Sequence, residues 1–93
     1  MRLVSCIIQL FIIIAPLFSQ NSFSIKVDSL LGESYNKFVE LQIIESLKLS
    51  EKALLLSEET HYEKGMVYSY LSIARALQEV GLRKEALEYI EKV

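Results

Sequence analysis

The sequence predicts an all-α chain, built as antiparallel helical hairpins and preceded by an apolar amino-terminal helix of signal-peptide type. Three observations carry this. Pro16 is the only proline and glycine occurs only at 32, 65 and 81, which favours helices over a strand-and-turn architecture. From Asp28 onward apolar residues recur at helical spacing. Before that, no charged side chain occurs from Leu3 to Ile25.

The leader comes first. Arg2 and the amino terminus supply positive charge. Ile7, Ile8, Leu10, Phe11, Ile12, Ile13 and Ile14 form an apolar run broken only by Gln9, and Pro16 ends a helix because it lacks the N–H and clashes with the preceding turn. Polar residues follow from Ser19 to Ser22. This is the order of a secretory signal peptide over residues 1–19. The run to Phe18 is short for a membrane span, which needs about 20 apolar residues. Ser19 suits the last leader position, whereas Leu17 is bulkier than the small residue usual there. A retained membrane anchor is therefore the alternative. The stretch Leu3-Val4-Ser5-Cys6 is similar to a lipid-attachment box, but its apolar stretch follows the cysteine instead of preceding it, so no role is assigned to Cys6. As the chain's only cysteine, Cys6 leaves the part beyond the leader without a disulfide or a cysteine metal site.

Residues 20–27 read as a linker and 28–65 as a first, degenerate hairpin. Leu30, Leu31, Tyr35 and Phe38 share one stripe of a helix from Asp28 to about Val39. Ile43, Ile44, Leu47, Leu54 and Leu55 form another, with Glu45, Lys48, Glu51, Lys52 and Glu58 on the wet side. Glu58 to Lys64 is polar, ends at Gly65, and reads as a loop.

Residues 66–93 read as a second hairpin. Its first helix runs from Met66 to Val80, with Val67, Tyr70, Leu71, Ile73, Ala74 and Leu77 apolar. Gly81 ends it, since glycine accepts the left-handed backbone that terminates helices. A final helix starts near Arg83, with Ala86, Leu87, Ile90 and Val93 on one face. Two helices joined by a short glycine-marked turn pack antiparallel. Ala74 and Ala86 face each other where the helices cross, and Tyr70, Leu77 and Ile90 fill the space around them.

The residues Tyr70, Ile73, Ala74, Leu77, Gly81, Ala86 and Ile90, with the run Gly81-Leu82-Arg83-Lys84-Glu85-Ala86-Leu87-Glu88-Tyr89, resemble a tetratricopeptide repeat. Leu77 stands where that family has an aromatic, and Arg83 where it often has Tyr or Phe. A looser copy covers Ile43 to Gly65. If Ala53 matches Val93 the repeat is longer than the family's basic unit of about 34 residues. In that register Ser34 and Ser46 replace the small pair at the crossing, and Leu41 stands at the turn glycine. The chain then stops inside its closing helix at Val93. The expectations are a fragment, a truncated reading frame, or a last face that meets a partner.

The resemblance implies a helical scaffold whose groove is lined mainly by first helices. The groove side of the Met66 helix would show Tyr68, Leu71, Arg75, Gln78 and Glu79, with Arg75 pairing a partner's carboxylate and Tyr68 stacking or hydrogen-bonding. The partner expected is a protein or peptide. A net charge of −2 with no basic cluster beyond Arg83-Lys84 gives no support for nucleic acid. Membrane contact is expected only through residues 3–18, if the leader is retained.

No enzyme is expected. His61 is the only histidine and sits in a polar stretch, so no metal site can be assembled around it. Glu58, Glu59 and Glu63 read as a solvated cluster, Ser69 and Ser72 lack a base to activate them, and no glycine-rich phosphate loop occurs. Neither cofactor nor metal is expected. The functional expectation is a non-catalytic interaction scaffold, exported across the cytoplasmic membrane or tethered to it. It resembles the amino-terminal part of bacterial proteins in which such repeats precede a signalling module. The alternative is a small single-span membrane protein with a helical soluble tail.

Overall fold

The computed structural model describes residues 22–93, so the leader and its cleavage site lie outside the described residues. Among these the chain is all-helical, with no strand. Helix α1 covers residues 22–39 of the described chain, α2 spans Ile43–Glu59, α3 Glu63–Glu79 and α4 Arg83–Glu91. Helix is already present at residue 22, so residues 22–27 are not the linker expected there. Val27 explains this, since it is fully buried and lies against α3 at Gly65. No described helix is long and apolar enough to cross a membrane.

Helices α1, α2 and α3 end in the same way. Leu41 (φ 64°), His61 (φ 55°) and Gly81 (φ 87°) adopt left-handed backbone. At each, the following N–H returns to the carbonyl five residues back: Gln42 to Lys37 at 2.9 Å, Tyr62 to Ser57 at 2.9 Å, and Leu82 to Leu77 at 2.9 Å. A second bond closes each turn three residues back, from Leu41 to Phe38 at 3.0 Å, His61 to Glu58 at 3.3 Å and Gly81 to Gln78 at 3.1 Å. This pair of bonds is the Schellman closure, which satisfies carbonyls left free at a helix end. The middle turn corrects the sequence expectation. The loop is only residues 60–62, and Glu63, Lys64 and Gly65 belong to α3.

Gly65 has a packing role. A Cβ added there would meet Ser57 Oγ, would lie 2.5 Å from Tyr62 Cδ2 and 2.9 Å from Val27 Cγ1. Only glycine lets α3 approach α1 and α2 so closely.

The inward faces also differ from expectation. Ile44, Leu55 and Tyr35 are exposed. The buried face of α2 is Ser46, Ser50, Ala53 and Ser57, and that of α3 includes Gly65, Ser69, Ser72 and Ala76. Close helix contact needs small side chains at the crossing, so the large apolar residues sit on the shoulders of the contact. Ile73, Ala74, Leu77 and Ala86 form the apolar core cluster, with Leu47, Leu54 and Tyr89 packed on it. Ala74 and Ala86 therefore meet inside. Ile90 does not join them and is exposed; the large residue packing there is Tyr89, its ring 6.2 Å from Tyr70.

Contacts fix the helix directions. Along α2 and α3 the partners run oppositely, Ser50 against Ser72 and Ser57 against Gly65. Along α1 and α3 they run together, Val27 against Gly65 and Ser34 against Ser72. The hairpins α1–α2 and α3–α4 thus stack in the same orientation.

Candidate functional site

Because α1 and α3 are parallel neighbours, their outer faces border a groove of about 660 Å³. Helix α1 contributes Asp28, Leu31, Gly32 and Tyr35; α3 contributes Lys64, Tyr68, Leu71, Ser72 and Arg75. Three of the five residues expected to face a partner, Tyr68, Leu71 and Arg75, line this groove. Gln78 lies apart, beside Arg83, Ala86, Leu87 and Ile90. Glu79 is exposed at the end of α3. Asp28, Leu31, Gly32 and Tyr35 were not singled out in the sequence as groove residues, since their role depends on α1 lying beside α3.

Arg75 dominates the groove's electrostatics. Its guanidinium carbon lies 4.5 Å from the Phe38 ring centroid and 5.2 Å from that of Tyr35. Contact with two aromatic faces restrains the planar cation. The ion pairs among the described residues, Lys37–Glu40 and Lys48–Glu45, do not involve Arg75. Its Nε is out of solvent and finds no acceptor among the described residues. Lys64 lies 5.9 Å from the Tyr68 centroid on the same side. Asp28, the groove's carboxylate, accepts a hydrogen bond from the Tyr62 hydroxyl at 3.2 Å. Partial burial, then the neighbouring Asp28 charge, raises the Tyr62 pKa above its ordinary value of 10.0. The groove therefore offers two cations, aromatic surfaces and one occupied acid.

Beneath the groove lies a set of buried hydroxyls. Ser34 donates to the Ser46 carbonyl at 2.8 Å, and Ser46 donates to the Ser34 carbonyl at 2.7 Å. Each hydroxyl has a single proton. Ser34 Oγ is then an acceptor for Ser50 at 2.6 Å, and Ser50 Oγ an acceptor for Ser72 at 2.6 Å. The chain Ser72 to Ser50 to Ser34 to the Ser46 carbonyl runs one way through three helices. No base adjoins these hydroxyls, and no group of three or more metal-ligating side chains occurs among the described residues. His61 is exposed in its turn.

Comparison of the chain with known protein families, with curated proteins and with solved structures finds no match.

Proposed function

We propose that the chain is a non-catalytic interaction scaffold of tetratricopeptide-like hairpins whose α1–α3 groove takes a peptide carrying a carboxylate against Arg75. The observation that carries this reading is the Arg75 guanidinium, stacked on Tyr35 and Phe38 and bearing donors with no acid among the described residues. A carboxylate is the planar acceptor that matches such a fork. Lys64 adds a second positive charge, and Tyr68, Leu71 and Leu31 supply apolar and aromatic contact for neighbouring side chains. The small pairs Ser34–Ser46 and Ala74–Ala86 at equivalent crossings support the repeat reading.

Fluorescence anisotropy with labelled peptide pools tests it. A pool rich in Asp and Glu binds the protein, and its Asn/Gln counterpart binds at least about tenfold more weakly, as loss of a charged hydrogen-bonded pair predicts. Arg75→Gln removes the preference, while Lys48→Gln on α2 leaves it intact. Equal binding of both pools, or an indifferent Arg75→Gln, refutes the reading.

The scaffold is exported or membrane-tethered in this proposal, in keeping with the amino-terminal part of a bacterial signalling protein. The apolar run before Ser19 supports it. Mass spectrometry of the mature chain separates the forms: a start near Gln20 marks cleavage, and an intact Met1 marks the tethered, single-span alternative.

A further inference from the structure

Gly32 lies inside α1, where glycine weakens a helix relative to an ordinary residue. Nothing in the protein's own packing asks for it. Its backbone is not left-handed, and a Cβ added there meets no atom within 4 Å. Gly65 differs on this count, because Ser57, Tyr62 and Val27 crowd it. What Gly32 does is line the α1–α3 groove. A bare stretch of helix facing a groove lets the backbone of a ligand approach closely.

Opposite charges flank Gly32 along the same wall. Asp28, Gly32 and Tyr35 recur at i, i+4 and i+7 on one face of α1. Beyond the glycine, the Arg75 guanidinium reaches across from α3 to lie 5.2 Å from the Tyr35 ring centroid. Seven residues of helix rise about 10 Å, so the carboxylate and the guanidinium stand roughly that far apart. Neither takes part in an ion pair among the described residues. Tyr62 donates one hydrogen bond to Asp28, and a carboxylate has about four lone-pair sites. Lys64, at the same end, lies over Tyr68 on α3. A span of about 10 Å matches three residues of an extended chain. In a polyproline-type segment, with three residues per turn, positions i and i+3 face the same way.

We propose that the groove takes an extended peptide carrying an acidic and a basic side chain three residues apart, an inference that rests on the Arg75 reading above. The carboxylate meets Arg75, the cation meets Asp28, and the backbone between them crosses Gly32. Fluorescence anisotropy with the full chain in non-ionic detergent tests it. The probes are labelled alanine–serine peptides with a single Glu, with Gln in its place, and with a Lys set either three residues or one residue from the Glu, on either side. Lys at three residues tightens binding of the Glu peptide about fivefold, the scale of an exposed ion pair, and Lys at one residue does not. Asp28→Asn brings that ratio to about one. Tyr62→Phe, which keeps the carboxylate, preserves it. Gly32→Leu raises Tm, since leucine is the better helix former, yet weakens the spaced peptide by about tenfold, as a side chain built into a ligand's path does. A ratio near one in the wild-type chain overturns the proposal and leaves the acid preference of Arg75 standing. So does a ratio that survives Asp28→Asn, one lost equally in Tyr62→Phe, or a Gly32→Leu variant that binds as the wild type does. If the Glu and Gln peptides bind alike, the Arg75 reading itself fails and this proposal falls with it.

Discussion

Two residues are held in unfavourable backbone by the turns they complete. Leu41 and His61 both have positive φ, which costs an L-residue about 1–2 kcal/mol. Leu41 is 77 % exposed and has little packing to lose. Leu41→Gly relieves the strain, offset in part by glycine's greater freedom in the unfolded chain. The net expectation is a gain of up to about 1 kcal/mol in urea unfolding. Gly65 presents the opposite case. Gly65→Ala sets a Cβ against Ser57, Tyr62 and Val27 and should destabilise by about 1–3 kcal/mol, as overpacking does. Thermal melts of the two variants move in opposite directions. The raised Tyr62 pKa gives a third outcome. An acid whose folded pKa exceeds its unfolded value stabilises fully below the unfolded value and loses that contribution as pH rises through the folded one. Stability therefore falls above pH 10.0, and Tyr62→Phe makes that alkaline fall shallower in urea titrations at pH 9 to about 11.

At the scale of elements, what joins α1, α2 and α3 is a directional hydroxyl chain, where α3 and α4 use alanines. Ser34–Ser46 and Ala74–Ala86 occupy equivalent crossings, so the same fold tolerates either chemistry. The polar version is the more vulnerable to partial loss. Ser34→Ala removes the acceptor of Ser50 and the donor to the Ser46 carbonyl, leaving buried groups unpaired at a cost of about 1–3 kcal/mol. Replacing Ser34, Ser46, Ser50 and Ser72 together by alanine should recover most of that loss, because no hydroxyl of that chain is then left without its partner. Denaturant midpoints of the single and quadruple variants decide between this and a role confined to size. The buried serines also fix the relative position of three helices, as a one-residue slide breaks the whole chain of bonds.

For the whole molecule, α3 is the hub. It touches α1 through Val27 and Ser34, α2 through Ser50 and Ser57, and α4 through Ala86 and Tyr89. Hydrogen exchange at low protein concentration should find its amides the slowest, and those of α4 the fastest. An equally protected α4 under those conditions would contradict the picture of α3 as the hub.

Local chemistry alone determined much of this architecture. Proline-free stretches with helical apolar spacing specify helices, Gly81 specifies a turn because only glycine takes that φ freely, and Ala74 and Ala86 mark a crossing because only small side chains permit one. The spacing of Ala53 and Val93 likewise reported the distance between equivalent turns at Leu41 and Gly81. Tertiary structure decided the rest. Whether a serine points inward depends on which helix lies opposite: the repeat register put Ser34 and Ser46 at the crossing, where they are buried, but Ser50 and Ser72 could not be told from surface serines by periodicity. Gly65 looked like the end of a loop because glycine's two uses, turning and close packing, leave the same letter in the sequence. The groove exists only because α1 runs beside α3, a contact between residues distant along the chain, and no local pattern encodes which distant faces will meet.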